Sequence, residues 1–145
     1  MQTNTLGAGV TISVSGPAAP IGVARMRAAV SDWVDDVVPV TAERRADILL
    51  ATDEAMSNCA DHAYRNRHDP GTMSVEATYH HDTARLDVHV TDDGAWMEPA
   101  TRTSTALRGR GITLMNALAD DVTIDGRRDG TSVCLRFSAD HHPLG

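Results

Sequence analysis

"DEAMSNCADHAY" (residues 53–64) lies in an alanine-rich stretch with a helical repeat, and its polar residues are not scattered. At about 100° per residue, Glu54, Asn58, Asp61 and Arg65 share one side of the helix, while Leu49, Thr52, Met56, Cys59, Ala60 and Ala63 share the opposite side. Any amphipathic helix turns such a polar stripe to solvent. Two details set this one apart. Asn58 stands in mid-helix, where asparagine is a poor helix former with no cap to supply. The chain has four glutamates against sixteen aspartates, and one of the four falls a single turn before that asparagine. A Glu and an Asn one turn apart can hold a general base and a neutral Mg²⁺ ligand side by side. A solvated face and a metal or phosphate site therefore both fit the stretch.

Working outward, Thr41 is suited to cap this helix, which is predicted to run to about Arg67. Pro39 stops an earlier helix, predicted over about Ile21 to Val38, with Val23, Met26, Val30, Trp33, Val34 and Val37 inward. "GPAAP" (16–20) separates it from an alternating strand, "GVTISVS" (9–15). Downstream, "HDPG" (68–71) is a turn cluster. "TMSVEATY" (72–79) and "ARLDVHVTD" (84–92) alternate and form a hairpin across "HHDT". A polar stretch without strand character covers about Gly94 to Arg108, and a short helix starts near Gly111 with Ile112, Leu114, Met115 and Leu118. "DVTIDG" (121–126) and "TSVCLRF" (131–137) make a last hairpin. The order β-α-α-β-β-loop-α-β-β implies an α+β fold, a mixed sheet with helices on one face. One domain is expected over 9–138, between tails at 1–8 and 139–145.

Composition narrows the chemistry. With 145 residues, 41% hydrophobic and 3% aromatic, the chain can bury one core of aliphatic side chains and methionine. No apolar run approaches the roughly 20 residues that cross a bilayer, and nothing resembles a signal peptide. Cys59 and Cys134 lack metal-like spacing, read as core fillers and suit a reducing, cytoplasmic compartment. The net charge of -7 argues against nucleic acid and anionic membrane as partners. Every basic residue is arginine. A Walker A loop, a lysine Schiff base and a Ser–Lys nucleophile therefore lack their central residue. Arginine keeps phosphate chemistry open, and codon bias accounts for the same excess. The pairs His80–His81 and His141–His142 read as solvated.

Three further features follow in order. "VTDDGAW" (90–96) runs a strand into an Asp-Asp-Gly turn. "RGRGITLMNALADD" (108–121) places two glycines before a helix, a flexible hinge or an anion site built from bare N–H groups. "DGTS" (129–132) opens the last strand. Each is ordinary alone. Together with Glu54 and Asn58 they resemble the N, G1 and G2 boxes of the GHKL (Bergerat) ATP-binding fold, a two-layer sandwich with a mixed, mostly antiparallel sheet. More narrowly, "DEAMSNCADHAY", "VTDDGAWMEP" and "GRGITLMNALADDVTI" resemble the anti-sigma-factor serine kinases of the RsbW/SpoIIAB type, over about Val10 to Phe137.

The resemblance implies roles for individual residues. Glu54 would be the catalytic base of a protein-serine kinase, and Asn58 the ligand of a Mg²⁺ that bridges the ATP phosphates. Asp92 would accept a hydrogen bond from the adenine amino group, and Gly94 would let the backbone approach the base. Gly109 and Gly111 would wrap the phosphates, and Thr131 would help position the adenine. Arg108 and Arg110 flank the lid without an assigned role. Trp96 stands where the family's second G1-box glycine belongs, which bears on lid closure and transfer. His62 and Tyr64 match the end of the family's helix motif and read as structural. The implied function is an ATP-dependent anti-sigma factor that holds a sigma factor and phosphorylates a STAS-domain anti-anti-sigma factor. Homodimers are typical of the family. The alternative is a non-catalytic, nucleotide-dependent binding module of the same fold. A histidine kinase catalytic domain fits less well, since no phospho-accepting helix pair precedes the domain.

Overall fold

Alternation places the sheet. In β2 (Thr72–His80), Met73, Val75, Ala77 and Tyr79 are buried, and in β3 (Arg85–Asp92) so are Leu86, Val88, Val90 and Asp92. Every second residue thus faces one apolar layer. These observations come from a computed structural model, which describes residues 9–65, 71–92, 110–127 and 130–139. The other elements are β1 (Gly9–Pro17), α1 (Pro20–Val37), α2 (Ala42–Arg65), α3 (Arg110–Leu118), β4 (Asp121–Arg127) and β5 (Gly130–Ser138). The strand order is β1-β2-β3-β5-β4, and the helices pack against one face. The expected order of helices and strands holds among the described residues, with ends shifted by a residue or two, and the strandless stretch expected over about Gly94 to Arg108 lies outside them.

All four ladders are antiparallel, so no parallel pair of neighbours exists among the described strands, although a mixed sheet was expected. Connectivity explains this. Two helices separate β1 from β2, so the chain returns to the end it left, and Pro17 pairs with Thr72. One helix separates β3 from β4, which makes those two strands parallel, but β5 inserts between them.

Local chemistry sets the helix ends. The Thr41 hydroxyl accepts from the Arg44 N–H at 3.1 Å, the expected N-cap. α1 ends at Val37, just before Pro39, and starts at Pro20, whose missing N–H costs nothing at the first helical position. A Cβ on Gly22 would lie 1.9 Å from the Pro17 carbonyl oxygen, so only glycine lets α1 fold back this closely on the end of β1.

On α2, Thr52, Met56 and Cys59 are buried as the wheel suggested, but the buried side also takes in Ile48, Ala51 and Ala55, while Leu49 and Ala60 are only half-buried. A buried arginine starts this face. Arg44 donates to the Leu118 carbonyl at 3.1 Å, the Ser138 carbonyl at 3.2 Å and the Asp120 carboxylate at 2.9 Å, and its guanidinium lies over the Phe137 ring. One side chain thereby ties α2, the end of α3 and β5 together.

The outer face of the sheet is polar. Thr78, Asp87 and Arg136 sit side by side there, and His89 shares a 2.7 Å hydrogen bond with Ser132. Cys134 belongs to this face and is exposed, against the expectation of a core filler; its parity in β5 is opposite to that of Val133, Leu135 and Phe137. Partial burial, then the Asp87 charge, raises its thiol pKa, with Arg136 acting the other way. His81 is exposed as expected, whereas His80 is half-buried, 3.2 Å from Asp87. His141 and His142 lie outside the described residues, as do the tail expected at 1–8 and, beyond Ala139, the tail expected at 139–145. Among the described residues no helix is long and apolar enough to cross a membrane.

Candidate functional site

α2 is the middle helix. On one flank Arg27 of α1 donates from Nε to the Asp53 carboxylate at 2.7 Å. On the other flank Arg44 reaches the end of α3. Glu54 and Asn58 lie on this second flank, one turn apart, in line with Asp47. Both are half-buried, not on a fully solvated face opposite the core, because α2 is covered from two sides as well as from below. Among the described residues Glu54 has no hydrogen bond or ion pair, and the Asn58 amide nitrogen is buried with no hydrogen-bond partner. Side chains from Asp61 to Arg65, including His62 and Tyr64, lie outside the described ones.

The sheet contributes from below. Asp92 ends β3 with 8% exposure, an inward position that follows from the parity of Val88 and Val90. Thr131 near the start of β5 is also buried, and the pairing of Thr91 with Ser132 sets it beside Asp92. A buried carboxylate and hydroxyl at the end of an apolar layer are costly unless something hydrogen-bonds to them. Cys59, fully buried on α2, meets Asp92 from the core: burial above all, then the Asp92 charge and a hydrogen bond to it, push the thiol pKa well up. The sequence reading took Cys59 as filler only. Arg44 it missed altogether, although a charged residue one turn before Ile48, in phase with the core, was a signal.

α3 closes the second flank. The chain leaves β3 at the Asp92 end, and Arg44, in the first turn of α2, binds the carbonyl of Leu118. α3 therefore runs antiparallel to α2. At about 1.5 Å per residue, its N-terminus lies alongside the Thr52–Glu54 turn. Gly111 is its second residue, so its N–H is among those a helix start leaves without an internal partner. Glu54, Asn58, Asp92, Thr131 and Gly111 thus gather at one end of the molecule. Gly94, Trp96, Arg108 and Gly109 lie outside the described residues, as does the side chain of Arg110.

The residues present fit a nucleotide with its metal. The half-buried Asn58 amide has an end that no described residue satisfies, and a half-turn of the amide presents either nitrogen or oxygen. Among the described residues no three His, Cys, Asp or Glu side chains gather to hold a metal. A Mg²⁺ at Asn58 would complete its shell with phosphate oxygens and water, as this ion commonly does.

Fold and site together define a class, and comparison with known proteins gives the same one: residues 16–137 match the histidine kinase-like ATPase domain, and the chain belongs to that family. Within it, the chain is 29% identical over 120 residues to a protein named anti-sigma F factor from Clostridium beijerinckii, covering 76% of this chain and 81% of that one. The fold is also that of a crystal structure of the RsbU and RsbW domains of Rv1364c from Mycobacterium tuberculosis, with a TM-score of 0.68 at 21% identity. That match covers 88% of this chain and 32% of the other, so the chain spans about a third of that protein. The expected α+β, GHKL-type fold is the one observed.

Proposed function

We propose that this chain binds Mg²⁺ and ATP and acts as an anti-sigma factor with protein-serine kinase activity. It would hold a sigma factor off transcription and phosphorylate a serine on a STAS-domain anti-anti-sigma factor. One observation carries the catalytic part: Glu54 is a half-buried carboxylate that no described residue neutralises, one turn from an amide with an unsatisfied end. Similarity to a protein named anti-sigma F factor supports the choice of partners.

Each residue then has its task. Asp92 accepts from the adenine amino group, and guanine, with a carbonyl there, is rejected. Gly94 lets the backbone come close to the base, and Thr131 supports Asp92 from the neighbouring strand. Asn58 holds the Mg²⁺, which would offset phosphate charge; Gly109 and Gly111 offer backbone N–H groups to the phosphates. Glu54 takes the proton that a partner's serine hydroxyl gives up as its oxygen bonds to the γ-phosphorus, while the bond from that phosphorus to the bridging oxygen breaks and ADP leaves. Phosphorylation adds about -1.5 to -2 charge to the partner, which disfavours docking on a chain of net charge -7. A cytoplasmic homodimer is the form in which we expect the protein to work.

A non-catalytic binding module is the second reading, favoured by Trp96 at the second glycine position of the G1 box. The deciding experiment supplies γ-labelled ATP and Mg²⁺ to a lysate of the source cells, with wild type and Glu54→Ala side by side. Label on one small protein with wild type alone supports the kinase. ATP binding without label in either preparation supports the module and contradicts transfer.

A further inference from the structure

α3 ends at Leu118 with no basic side chain in its last turn, so it brings no cation of its own to the carbonyls that a helix end leaves unpaired. The cation comes from another helix. Arg44 of α2, 8% exposed, donates from Nη1 to the Leu118 carbonyl at 3.1 Å, from Nε to the Ser138 carbonyl at 3.2 Å and from Nη2 to Asp120 Oδ2 at 2.9 Å. Asp120 is held in turn: the same oxygen accepts from the Ser138 N–H at 2.6 Å, and its own N–H donates to the Arg136 carbonyl at 2.8 Å. One planar fork thereby fixes the carboxyl end of α3 to α2 and β5 at once.

The amino end of α3 is the one that turns toward Asn58. At about 1.5 Å per residue, the nine residues of α3 make a rod of about 13 Å. Its seat in the core, Met115 and Ala119, lies in its carboxyl half and just beyond. A rod held at one end directs the other, so the place of the Gly111 N–H depends on the clamp at Leu118.

We propose that Arg44 is a positioning residue for phosphate binding: by fixing the carboxyl end of α3, it sets where the N–H groups at the amino end meet the phosphate chain beside Asn58. This rests on the reading that the phosphates lie between Asn58 and α3. Arg44 itself stands at the far end of α3 from Gly111, and its effect passes through the helix. Asp92 and Thr131 belong to the sheet, so the clamp acts on the phosphates and not on the base.

The test titrates the full chain, in Mg²⁺, with a non-hydrolysable ATP analogue and with AMP, which lacks the two outer phosphates. Amide chemical shifts report both affinities, and their ratio gives the contribution of the outer phosphates. Urea denaturation establishes that each chain is folded under the titration conditions. In Arg44→Met the ratio is expected to fall about three- to tenfold, with affinity for AMP unchanged. Gly22→Ala is the control: it strains α1 against the Pro17 backbone and is expected to lose stability while keeping the wild-type ratio. An Arg44→Met chain that keeps the ratio, or a Gly22→Ala chain that loses as much of it, overturns the role of Arg44 and leaves the clamp a matter of stability alone. Asn58→Ala, which removes the proposed Mg²⁺ ligand, is expected to lower the same ratio. If it does not, the placement of the phosphates falls, and this inference with it. Should methionine unfold the chain, Arg44→Lys keeps the charge without the fork and carries the same expectation.

Discussion

Asp53 and Glu54 are consecutive carboxylates on α2, yet they turn to different flanks of the helix. Asp53 is met by the Arg27 guanidinium of α1, which neutralises it. Glu54 faces the α3 side and has no ion pair among the described residues, although both side chains are half-buried. A carboxylate that only holds two helices together is best paired, whereas one that takes up a proton must keep its lone pairs available. On the α1 flank the carboxylate has its partner within the protein. On the α3 flank no described residue pairs with Glu54, and Asn58, whose amide nitrogen has no hydrogen-bond partner among them, repeats the pattern one turn on.

The contrast breaks most visibly at Glu54. Glu54→Ala is expected to lower phosphate transfer by about 10²–10⁴-fold, measured with purified substrate, while melting like the wild type. Arg44, the anchor of the α3 flank, is the converse case. Arg44→Met leaves the Leu118 and Ser138 carbonyls without this donor and removes the ion-pair partner of Asp120, which keeps only the Ser138 N–H. Because Asp120 keeps 35% exposure, the loss of stability falls at about 2–3 kcal/mol in urea denaturation, below that of a fully buried pair. Gly22→Ala tests how tightly the α1 flank is built: its Cβ meets backbone, not a movable side chain, and the same measurement should show a loss of about 1–3 kcal/mol. The smallest effect belongs to Asp53→Ala. With Arg27 47% exposed, breaking that pair costs less than about 1 kcal/mol and leaves transfer unchanged.

The thiol beneath Asp92 adds a pH signature. Its folded pKa is raised above the unfolded value, so the folded chain binds that proton more tightly. The associated stability is complete below the unfolded thiol pKa, about 8.5, and is lost as pH rises toward the folded value. Denaturation at pH 8 and pH 10 is expected to show a decline that shrinks in Cys59→Ser.

Periodicity and punctuation made most of the fold legible in the sequence. The alternation of β2 and β3, Pro39 and the Thr41 cap each act locally, and the structure follows them to within a residue or two. The α2 wheel went astray because it assumed a helix covered on one side, whereas α1 and α3 also cover its flanks. Cys134 was misplaced because residue type was weighed above strand parity. The Arg44 clamp joins residues 74 and 94 positions apart, a distance at which no local pattern speaks. For the site, Glu54, Asn58, Asp92, Gly111 and Thr131 gather as the motif order implied. That the Asp92 charge bears on the Cys59 thiol depends on how the two layers stack, which a sequence does not display.

The central claim is that the α3 flank, and not the α1 flank or the outer sheet face, receives the nucleotide. Amide chemical shifts of the labelled full chain, followed during titration with Mg²⁺ and a non-hydrolysable ATP analogue, test it directly. Saturable shifts concentrated at Glu54–Cys59, Thr91–Asp92, Gly111 and Thr131, with Arg27 and the Ser13–Glu76–His89 row unmoved, are the expected result. Shifts centred on α1 or on that outer row, or none at all at millimolar analogue, would contradict the account.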